Sequence, residues 1–327
     1  MKLFKGKCHQ VLLSTLLVLS VTYQADAKPD YRNHMRQFII GMSKYAKKKE
    51  PSFVIIPQNG QELITTYGST EDYEKIQYTY LNAIDGHGRE NLFYGYPEEN
   101  MRTPEKEKQW MIAPLKLARA NEKTILVTDY TKYPSDQKKS YIKNDTARFI
   151  SYAAPYRQLD YIPKAPPHNA GKHSVTSLSE AKNFLYLLDS SHYATRELFL
   201  KALANTDYDI ILIDAFYNDG TPFTPKDIKE LKKKKNGAPR LVIAYMSIGE
   251  AETYRYYWKE SWYAKKPTWL DKENPHWKGN FKVKYWHKDW QKIIYGTKKS
   301  YLDRIIAQGF DGAYLDIVDA FYHFEES

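Results

Sequence analysis

Cysteine is almost absent from this chain of 327 residues, and its one cysteine, Cys8, lies within the first 27 residues. Those residues have the pattern of a secretory signal peptide: three lysines precede an apolar run at residues 11–21, and an Ala-Asp-Ala tripeptide ends at Ala27. We therefore expect a secreted or periplasmic protein, cleaved after Ala27. The mature chain, residues 28–327, has no thiol, which excludes thiol catalysis, disulfides and thiolate metal sites.

Long apolar runs are also missing. The run at residues 11–21 is too short to cross a bilayer, and no later segment approaches the ~18–20 apolar residues that a membrane span needs. We therefore expect no membrane association once the signal peptide has been removed.

Motifs for metal, esterase and nucleic-acid chemistry are missing as well. The nine histidines show no His-Glu-x-x-His or facial-triad spacing, so we predict no metal and no cofactor. A Gly-x-Ser-x-Gly elbow is absent. The formal charge of +10, which becomes +8 without residues 1–27, includes lysine-rich segments at residues 44–49 and 232–235, as expected of solvated helix faces. Because no basic groove interleaved with aromatic residues accompanies them, we predict no nucleic-acid partner.

The chain does have many short apolar runs, rich in β-branched and aromatic residues and separated by segments of helical length. This pattern is typical of alternating strands and helices around a parallel sheet. Helices are predicted at residues 104–121, 193–203 and 227–235. Eight strands are predicted, at residues 53–56, 82–85, 124–129, 149–153, 184–188, 209–214, 241–247 and 312–316. A ninth apolar run, residues 282–286, is assigned to a loop because eight strands already fill a barrel.

Eight such strands in about 300 residues predict an α/β protein with a (β/α)8 TIM barrel as its single domain, residues 28–327. The segment at residues 163–172 is rich in Pro and Gly and is predicted to be a loop between the two halves of the barrel.

The order of the elements is unusual for a barrel, because the mature chain opens with a helix and ends about ten residues after a strand. We therefore predict a circular permutation, in which the opening helix takes the place that follows the last strand; the nearby termini of barrels make this physically easy. One face of the opening helix carries apolar residues at helical spacing, namely Met35, Phe38, Ile39, Met42, Tyr45 and Ala46.

Acidic and amide residues follow most of the predicted strands. Since the carboxyl ends of barrel strands meet at one rim, we expect a polar cleft there. The residues are Gln58, Asn59, Asp129, Asp189, Asp214, Glu250, Asp316 and Asp319.

Five segments of the sequence resemble glycoside hydrolase family 114, the extracellular enzymes similar to endo-α-1,4-polygalactosaminidase, and in particular their bacterial and archaeal branch. The segments are residues 53–63, 84–93, 209–215, 241–258 and 309–319, with the specific motifs Ser-Ile-Gly-Glu at 247–250 and Tyr-Leu-Asp-Ile-Val-Asp at 314–319. In the family, the Pro-Gln-Asn segment follows the Leu-Asp-Ile-Val-Asp strand. Here it precedes that strand by over 250 residues, which agrees with the predicted permutation.

The resemblance implies an eight-stranded barrel that hydrolyses an amino-sugar polymer, with an Asp and a Glu at successive strand ends as catalytic residues. These positions correspond to Asp214 and Glu250. Glycoside hydrolysis needs one carboxylic acid to protonate the leaving oxygen and one carboxylate as nucleophile or base. We assign Glu250 the acid role and Asp214 the other role, although the sequence fits the reverse equally well.

Further residues are predicted to contact the substrate. Six of the seven tryptophans fall within residues 258–290, where their rings either stack on sugars or pack the loop onto the barrel. His87 lies in a glycine-flanked turn, where it could orient a sugar hydroxyl. The predicted substrate-binding residues are Gln58, Asn59, His87, Asp129, Tyr245, Arg255, Trp258, Trp286, Asp316 and Asp319.

Three functions fit this sequence to different degrees. The leading one is a secreted glycoside hydrolase acting on a polysaccharide or oligosaccharide that contains an amino sugar. A non-catalytic carbohydrate-binding protein on the same scaffold is the alternative. A metal-dependent hydrolase or esterase that uses the aspartates is a third hypothesis, which the histidine spacing does not favour.

Overall fold

The computed structural model describes residues 29–66 and 75–326. The predicted signal peptide, residues 1–27, and its cleavage site lie outside the described residues. From Tyr31 onward the described chain forms one compact unit. A helix long and apolar enough to cross a membrane is absent from the described ranges.

Two parallel sheets contain the strands that correspond to the predicted barrel. Val54 pairs with Gly312, so the first of these strands lies beside the last. The smaller sheet runs in the order β2 (Gly86–Glu90), β3 (Thr124–Tyr130) and β4 (Ile150–Ala154). The larger runs in the order β1 (Val54–Pro57), β11 (Gly312–Asp316), β7 (Leu241–Ser247), β6 (Ile210–Asp214) and β5 (Phe184–Leu187).

The two parallel sheets approach each other at both edges. On one side, Gln58 and Gly88 form a parallel bridge, and the backbone N–H of Asp85 donates to the carbonyl of Ile55 at 2.9 Å. On the other side β4 lies next to β5, where the rings of Tyr152 and Phe184 are 6.1 Å apart. A mixed α/β fold with strands in this order is compatible with a TIM-like barrel.

Helices alternate with most of the parallel strands. Pro134 begins one of them in its first turn, Thr224 and Asp227 form a reciprocal capping box at the start of another, and Gly309 ends a third with a φ of 84°. The helices predicted at 104–121, 193–203 and 227–235 correspond to α3 (Glu105–Ala120), α5 (Arg196–Ala204) and α6 (Pro225–Leu231), the last of which ends four residues earlier than predicted. The helices are α1 (Tyr31–Lys49), α2 (Tyr78–Leu81), α3 (Glu105–Ala120), α4 (Pro134–Thr146), α5 (Arg196–Ala204), α6 (Pro225–Leu231), α7 (Ser261–Ala264), α8 (Lys288–Ile294), α9 (Tyr301–Gln308) and α10 (Phe321–Glu325).

The opening helix α1 packs against the last elements of the chain. Its apolar face is buried as predicted, except that Tyr45 is only half-buried and donates a hydrogen bond from its hydroxyl to Asp303 at 2.8 Å. Arg32 forms an ion pair with Glu325 in α10 at 2.8 Å. The first and last helices of the described chain are therefore neighbours.

The second strand was predicted four residues too early. Residues 82–85 do not form a strand, and β2 is Gly86–Glu90 instead. Its sequence, Gly-His-Gly-Arg-Glu, lacks the branched and aromatic residues that mark strands. Glycine fits there because a Cβ on Gly88 would overlap the hydroxyl of Tyr314, and a Cβ on Gly86 would meet the carbonyl oxygen of Thr124 at 2.7 Å.

The ninth apolar run, residues 282–286, was assigned to a loop, but its first two residues, Lys282 and Val283, belong to a strand. Residues Asn280–Val283 form β10, the middle strand of a separate antiparallel sheet with β8 (Glu250–Glu252) and β9 (Leu270–Glu273). This sheet lies in the connection that follows β7. The segment at residues 163–172 has no helix or strand, as predicted.

Candidate active site

A cavity of about 700 Å³ is lined by residues at the carboxyl ends of the parallel strands. Many carboxyl groups line this cavity. The cationic side chains among its lining residues are fewer and include Arg157 and Arg255. Its acidic and amide lining residues are Gln58, Asn59, Glu90, Gln158, Asp189, Asn218, Asp214, Glu250, Glu252, Asn280, Asp316 and Asp319.

Glu90 and Asp316 are bridged by one amide group. Gln58 follows β1, and its Nε2 lies 3.0 Å from Glu90 Oε2 at the end of β2 and 2.9 Å from Asp316 Oδ1 at the end of β11. The same amide nitrogen can thus donate one hydrogen to each carboxylate. The parallel pairing of β1 with β11 and its bridge to β2 bring the three side chains together.

Asp316 has an environment that favours its protonated form. Burial, reinforced by the charge of Glu90, raises the pKa of Asp316 to about 8. The hydroxyl of Tyr245 donates to Asp316 Oδ2 at 2.7 Å and the backbone N–H of Ile317 donates to Oδ1 at 2.8 Å, which oppose that rise. Asp316 is therefore more readily protonated than an ordinary aspartate, and it lines the cavity.

Glu90 is surrounded by donors. Besides Gln58, the amide of Asn59 donates to Glu90 Oε2 at 3.1 Å, and the hydroxyl of Tyr130 donates to Oε1. These donors hold both oxygens of the carboxylate in position. The sequence reasoning missed Glu90 because the misplaced second strand left it in a loop, although it lies within the segment 84–93 that carries the family resemblance.

Asp319 also lines the cavity, from the short 3-10 helix Val318–Ala320. Burial raises the pKa of Asp319 to about 6, and the positive charge of Arg89 opposes the shift. Two acids with raised pKa values therefore lie close together in the chain, Asp316 at the end of β11 and Asp319 in the short helix that follows.

Asp214 is held in an ion pair. Arg255 donates from both terminal nitrogens to the two oxygens of Asp214, each at 2.8 Å, and from Nε to Glu252 Oε2 at 2.6 Å. The two carboxylates thus share one guanidinium. Burial opposes the charge on Arg255, but Asp214 and Glu252 outweigh it and raise the pKa of Arg255, which keeps the group ionised.

Glu250 lines the cavity, but its carboxylate is fully buried and engaged by other side chains. Lys282 Nζ lies 2.6 Å from Oε1, and the amide of Asn274 donates to the same oxygen at 2.8 Å. The neighbouring carboxylate Glu252 receives hydrogen bonds from Tyr254 and Arg255, both of which line the cavity. Glu252 was missed because the motif pointed to the first glutamate of Glu-Ala-Glu.

Four of the predicted substrate-binding residues do not line the cavity, and two of these are Asp129 and His87. Asp129 is buried and accepts hydrogen bonds from Ser140 and from the backbone N–H groups of Phe93 and Tyr94, so it joins the loops after β2 to α4. Burial raises the pKa of Asp129, and these hydrogen bonds oppose the rise. His87 is fully buried within β2, where burial lowers the pKa of the imidazole to about 3.

The other two are Trp258 and Trp286, which pack against aromatic rings of the protein. Trp258 packs against Trp262 and Phe281, with ring centroids 5.2 Å apart in both pairs. Trp286 packs against Phe324 at 4.7 Å. A different member of the group, Trp277, is 60% exposed and lines the cavity. The other predicted binding residues, Gln58, Asn59, Tyr245, Arg255, Asp316 and Asp319, all line it.

Within the described residues, no group of three or more His, Cys, Asp or Glu side chains has a metal-holding arrangement. The side chains that line the cavity are carboxyl groups together with amide, phenol and guanidinium groups.

Comparison with known proteins confirms the resemblance. Residues 165–327 match the model of a family described as glycoside-hydrolase family GH114. The matched part includes Asp214, Glu250, Glu252 and Asp316, whereas Glu90 and Gln58 come from the first half of the chain.

Relatives with known sequences occur in distant organisms. An uncharacterized protein of Methanocaldococcus jannaschii, MJ1477, is 43% identical over 157 residues, which are 47% of this chain and 42% of that protein. An uncharacterized protein of Thermotoga maritima is 42% identical over 156 residues, covering 47% of this chain and 46% of its own length. One from Deinococcus radiodurans is 41% identical over 122 residues, 37% of each. The chain thus spans less than half the length of these relatives.

Proposed function

We propose that this protein is a glycoside hydrolase in which Asp316 is the general acid and Glu90 is the nucleophile. The observation that carries the proposal is the bridge from Gln58 to both carboxylates at 3.0 and 2.9 Å, in a cavity at the carboxyl ends of the strands. Two carboxyl groups, one protonated and one ionised, are what hydrolysis of a glycosidic bond requires.

The reaction follows from these states. Asp316 donates its proton to the glycosidic oxygen as the bond to the anomeric carbon breaks, and Glu90 attacks that carbon. The ionised Asp316 then takes a proton from a water molecule, which displaces Glu90 and restores both groups. Tyr130 and Asn59 hold the Glu90 carboxylate in position by donating to its two oxygens.

The spacing of the pair supports retention of configuration. One amide nitrogen lies 3.0 Å from an oxygen of Glu90 and 2.9 Å from an oxygen of Asp316, so those two oxygens are at most about 6 Å apart. Carboxyl groups are ~5–5.5 Å apart in retaining enzymes and ~6.5–9.5 Å apart in inverting ones, so this distance fits retention.

The predicted pair Asp214 and Glu250 is the rival assignment. Its contacts favour it less, since Asp214 is neutralised by Arg255 and Glu250 by Lys282. A carboxylate held by a cation is less free to contact a substrate, and that of Glu250 is fully buried as well. We propose that Asp214, with Arg255 and Glu252, forms a wall of the substrate site.

The excess of carboxylates over cationic side chains supports a substrate with positive charge. We propose an amino-sugar polymer, such as α-1,4-linked galactosamine, as implied by the family resemblance. Export by the signal peptide at residues 1–27 is part of the same proposal, since polymers of this type lie outside the cell.

We further propose that the eight parallel strands close into a TIM barrel whose segment order is circularly permuted. The neighbouring positions of β1 and β11, the bridge between β1 and β2, and the packing of α1 against α10 support this. In this arrangement the first and second halves of the chain supply one catalytic carboxylate each.

A panel of polysaccharides tests the function. The chain should release reducing ends from α-1,4-linked galactosamine polymers and fewer or none from their fully N-acetylated forms, which lack the amine charge. Glu90→Gln, with an unchanged circular dichroism spectrum, should release none. Binding without release of reducing ends by the wild type would instead support the carbohydrate-binding alternative.

A further inference from the structure

We propose that Trp277 and Tyr254 form an outer sugar-binding subsite, and that the buried Glu250 positions the turn that carries Trp277. The inference rests on the proposed function, because it concerns where a long sugar chain continues beyond the bond that is cleaved.

The exposure of these two side chains is the first observation. Tyr254 is 63% exposed and Trp277 is 60% exposed, more than the other large hydrophobic side chains of the described residues that are exposed. Both also line the cavity that contains Glu90 and Asp316. Aromatic rings exposed at the edge of a binding cavity offer flat apolar surface, and the C–H face of a sugar ring can cover such a surface.

The turn that carries Trp277 joins β9 to β10. It is closed by hydrogen bonds from the backbone N–H of Asn274 to the carbonyl of Asn280 at 2.7 Å and from the N–H of Asn280 to the carbonyl of Trp277 at 3.0 Å. Gly279, with a φ of 87°, permits the tight return of the chain. Trp277 is therefore presented by an ordered turn.

The buried carboxylate of Glu250 binds residues at both ends of this turn. Its Oε1 accepts hydrogen bonds from Asn274 Nδ2 at 2.8 Å and lies 2.6 Å from Lys282 Nζ, and its Oε2 accepts from Asn280 Nδ2 at 3.4 Å. One fully buried carboxylate thus meets both ends of the turn and the strand that follows it. This arrangement assigns Glu250 a positioning role in place of the catalytic role that the sequence predicted.

Tyr254 connects this subsite with the interior of the cavity. Its hydroxyl donates to Glu252 Oε1 at 2.6 Å, and Glu252 in turn is bound by Arg255, which holds Asp214. The sugar on the two exposed rings would therefore continue into the carboxylate-lined part of the cavity. The occupant that fits is a chain of several sugars, not a single sugar.

The test compares KM for two substrates of different length, an α-1,4-linked galactosamine disaccharide and the corresponding hexasaccharide. Trp277→Ala should raise the ratio of hexasaccharide KM to disaccharide KM by about five- to tenfold, as the loss of one aromatic contact of ~1–1.4 kcal/mol would. Tyr263→Ala is the matched control: Tyr263 is 54% exposed in the same connection but does not line the cavity, so its ratio should equal that of the wild type.

Glu250→Gln tests the positioning role, since the amide keeps an acceptor for Asn274 but loses the ion pair with Lys282. Like Trp277→Ala, it should raise the ratio of hexasaccharide KM to disaccharide KM, and it should change kcat less than it changes this ratio. If this variant does not fold, Lys282→Met removes the same ion pair from the partly exposed side.

The outcomes separate the subsite from the hydrolase function. Equal KM ratios in the wild type and Trp277→Ala, with hydrolysis intact, would refute the subsite alone. Hexasaccharide binding that Trp277→Ala weakens, without any hydrolysis by the wild type, would refute the hydrolase function and support the subsite. A wild type that binds neither substrate would overturn both.

Discussion

Replacing Tyr245 with Phe should move the alkaline limb of the pH–rate profile to higher pH. The Tyr245 hydroxyl donates to Asp316 Oδ2 at 2.7 Å and stabilises the ionised form of that acid, which burial disfavours. Without this donor the protonated form, which is the active form of a general acid, persists to higher pH.

The expected size of the shift follows from the strength of this contact. A hydrogen bond to a charged group contributes about 1.5–3 kcal/mol, and 1.36 kcal/mol moves a pKa by one unit, so removal of the hydroxyl raises the pKa of Asp316 by about one to two units. Since Asp316 is partly accessible from the cavity, a water molecule can replace part of the lost contact. We therefore expect a shift of about one unit, from a limb near pH 8.

The assay is kcat/KM for reducing-end release measured between about pH 5 and pH 10, because this quantity reports the ionisation of the free enzyme. Tyr217→Phe is the matched control, since Tyr217 also lines the cavity but its hydroxyl donates to the backbone carbonyl of Tyr193. An alkaline limb that stays in place in Tyr245→Phe, or moves to lower pH, would refute the assignment of Asp316 as the acid.

Two predictions concern stability. Arg255→Met leaves Asp214 and Glu252 without their shared cation, so it should lower the free energy of unfolding, measured by urea titration, by about 3–5 kcal/mol. The control Lys226→Met removes an exposed ion pair and should lower it by less than about 1 kcal/mol. Equal losses in the two variants would contradict the stabilising role of the buried network. The pKa of His87 falls to about 3 on folding, so below about pH 6.5 the unfolded chain binds a proton at this residue and the native protein does not. The free energy of unfolding therefore decreases as pH falls from 6.5 toward 3, by up to ~1.4 kcal/mol per pH unit from this group. His87→Gln should flatten that pH dependence between pH 6 and pH 4, and parallel curves for the two proteins would contradict this reasoning.

The sequence predicted the strands whose residues are branched and apolar. Ile210–Asp214, Leu241–Ser247 and Gly312–Asp316 lie where they were expected, because their local preference and their burial agree. The second strand was misplaced because tertiary contacts, not local preference, determine Gly86–Glu90: its glycines allow close approach of Tyr314 and the backbone of β3. That one shift removed Glu90 from the predicted set of strand-end carboxylates.

The pairing of site residues was harder to predict than their presence on the rim. Gln58 and Asp316 are 258 positions apart in the chain and become neighbours only through the pairing of β1 with β11. Glu250 and Glu252 belong to one short strand, and the sequence does not tell which one meets Lys282 and which one meets Arg255. For the same reason the tryptophan cluster was recognised, but the exposed member, Trp277, was not separated from the packed Trp258 and Trp286.

The central claim is that Glu90 and Asp316 perform the hydrolysis. The most direct measurement is kcat on an α-1,4-linked galactosamine oligomer for four purified and folded variants: Glu90→Gln, Asp316→Asn, Asp214→Asn and Glu250→Gln. We expect Glu90→Gln and Asp316→Asn to lose at least about 10³-fold in kcat, and the other two to lose much less, with their effects mainly in KM. Loss of turnover in Asp214→Asn and Glu250→Gln, with Glu90→Gln still active, would contradict the account and restore the assignment made from the sequence.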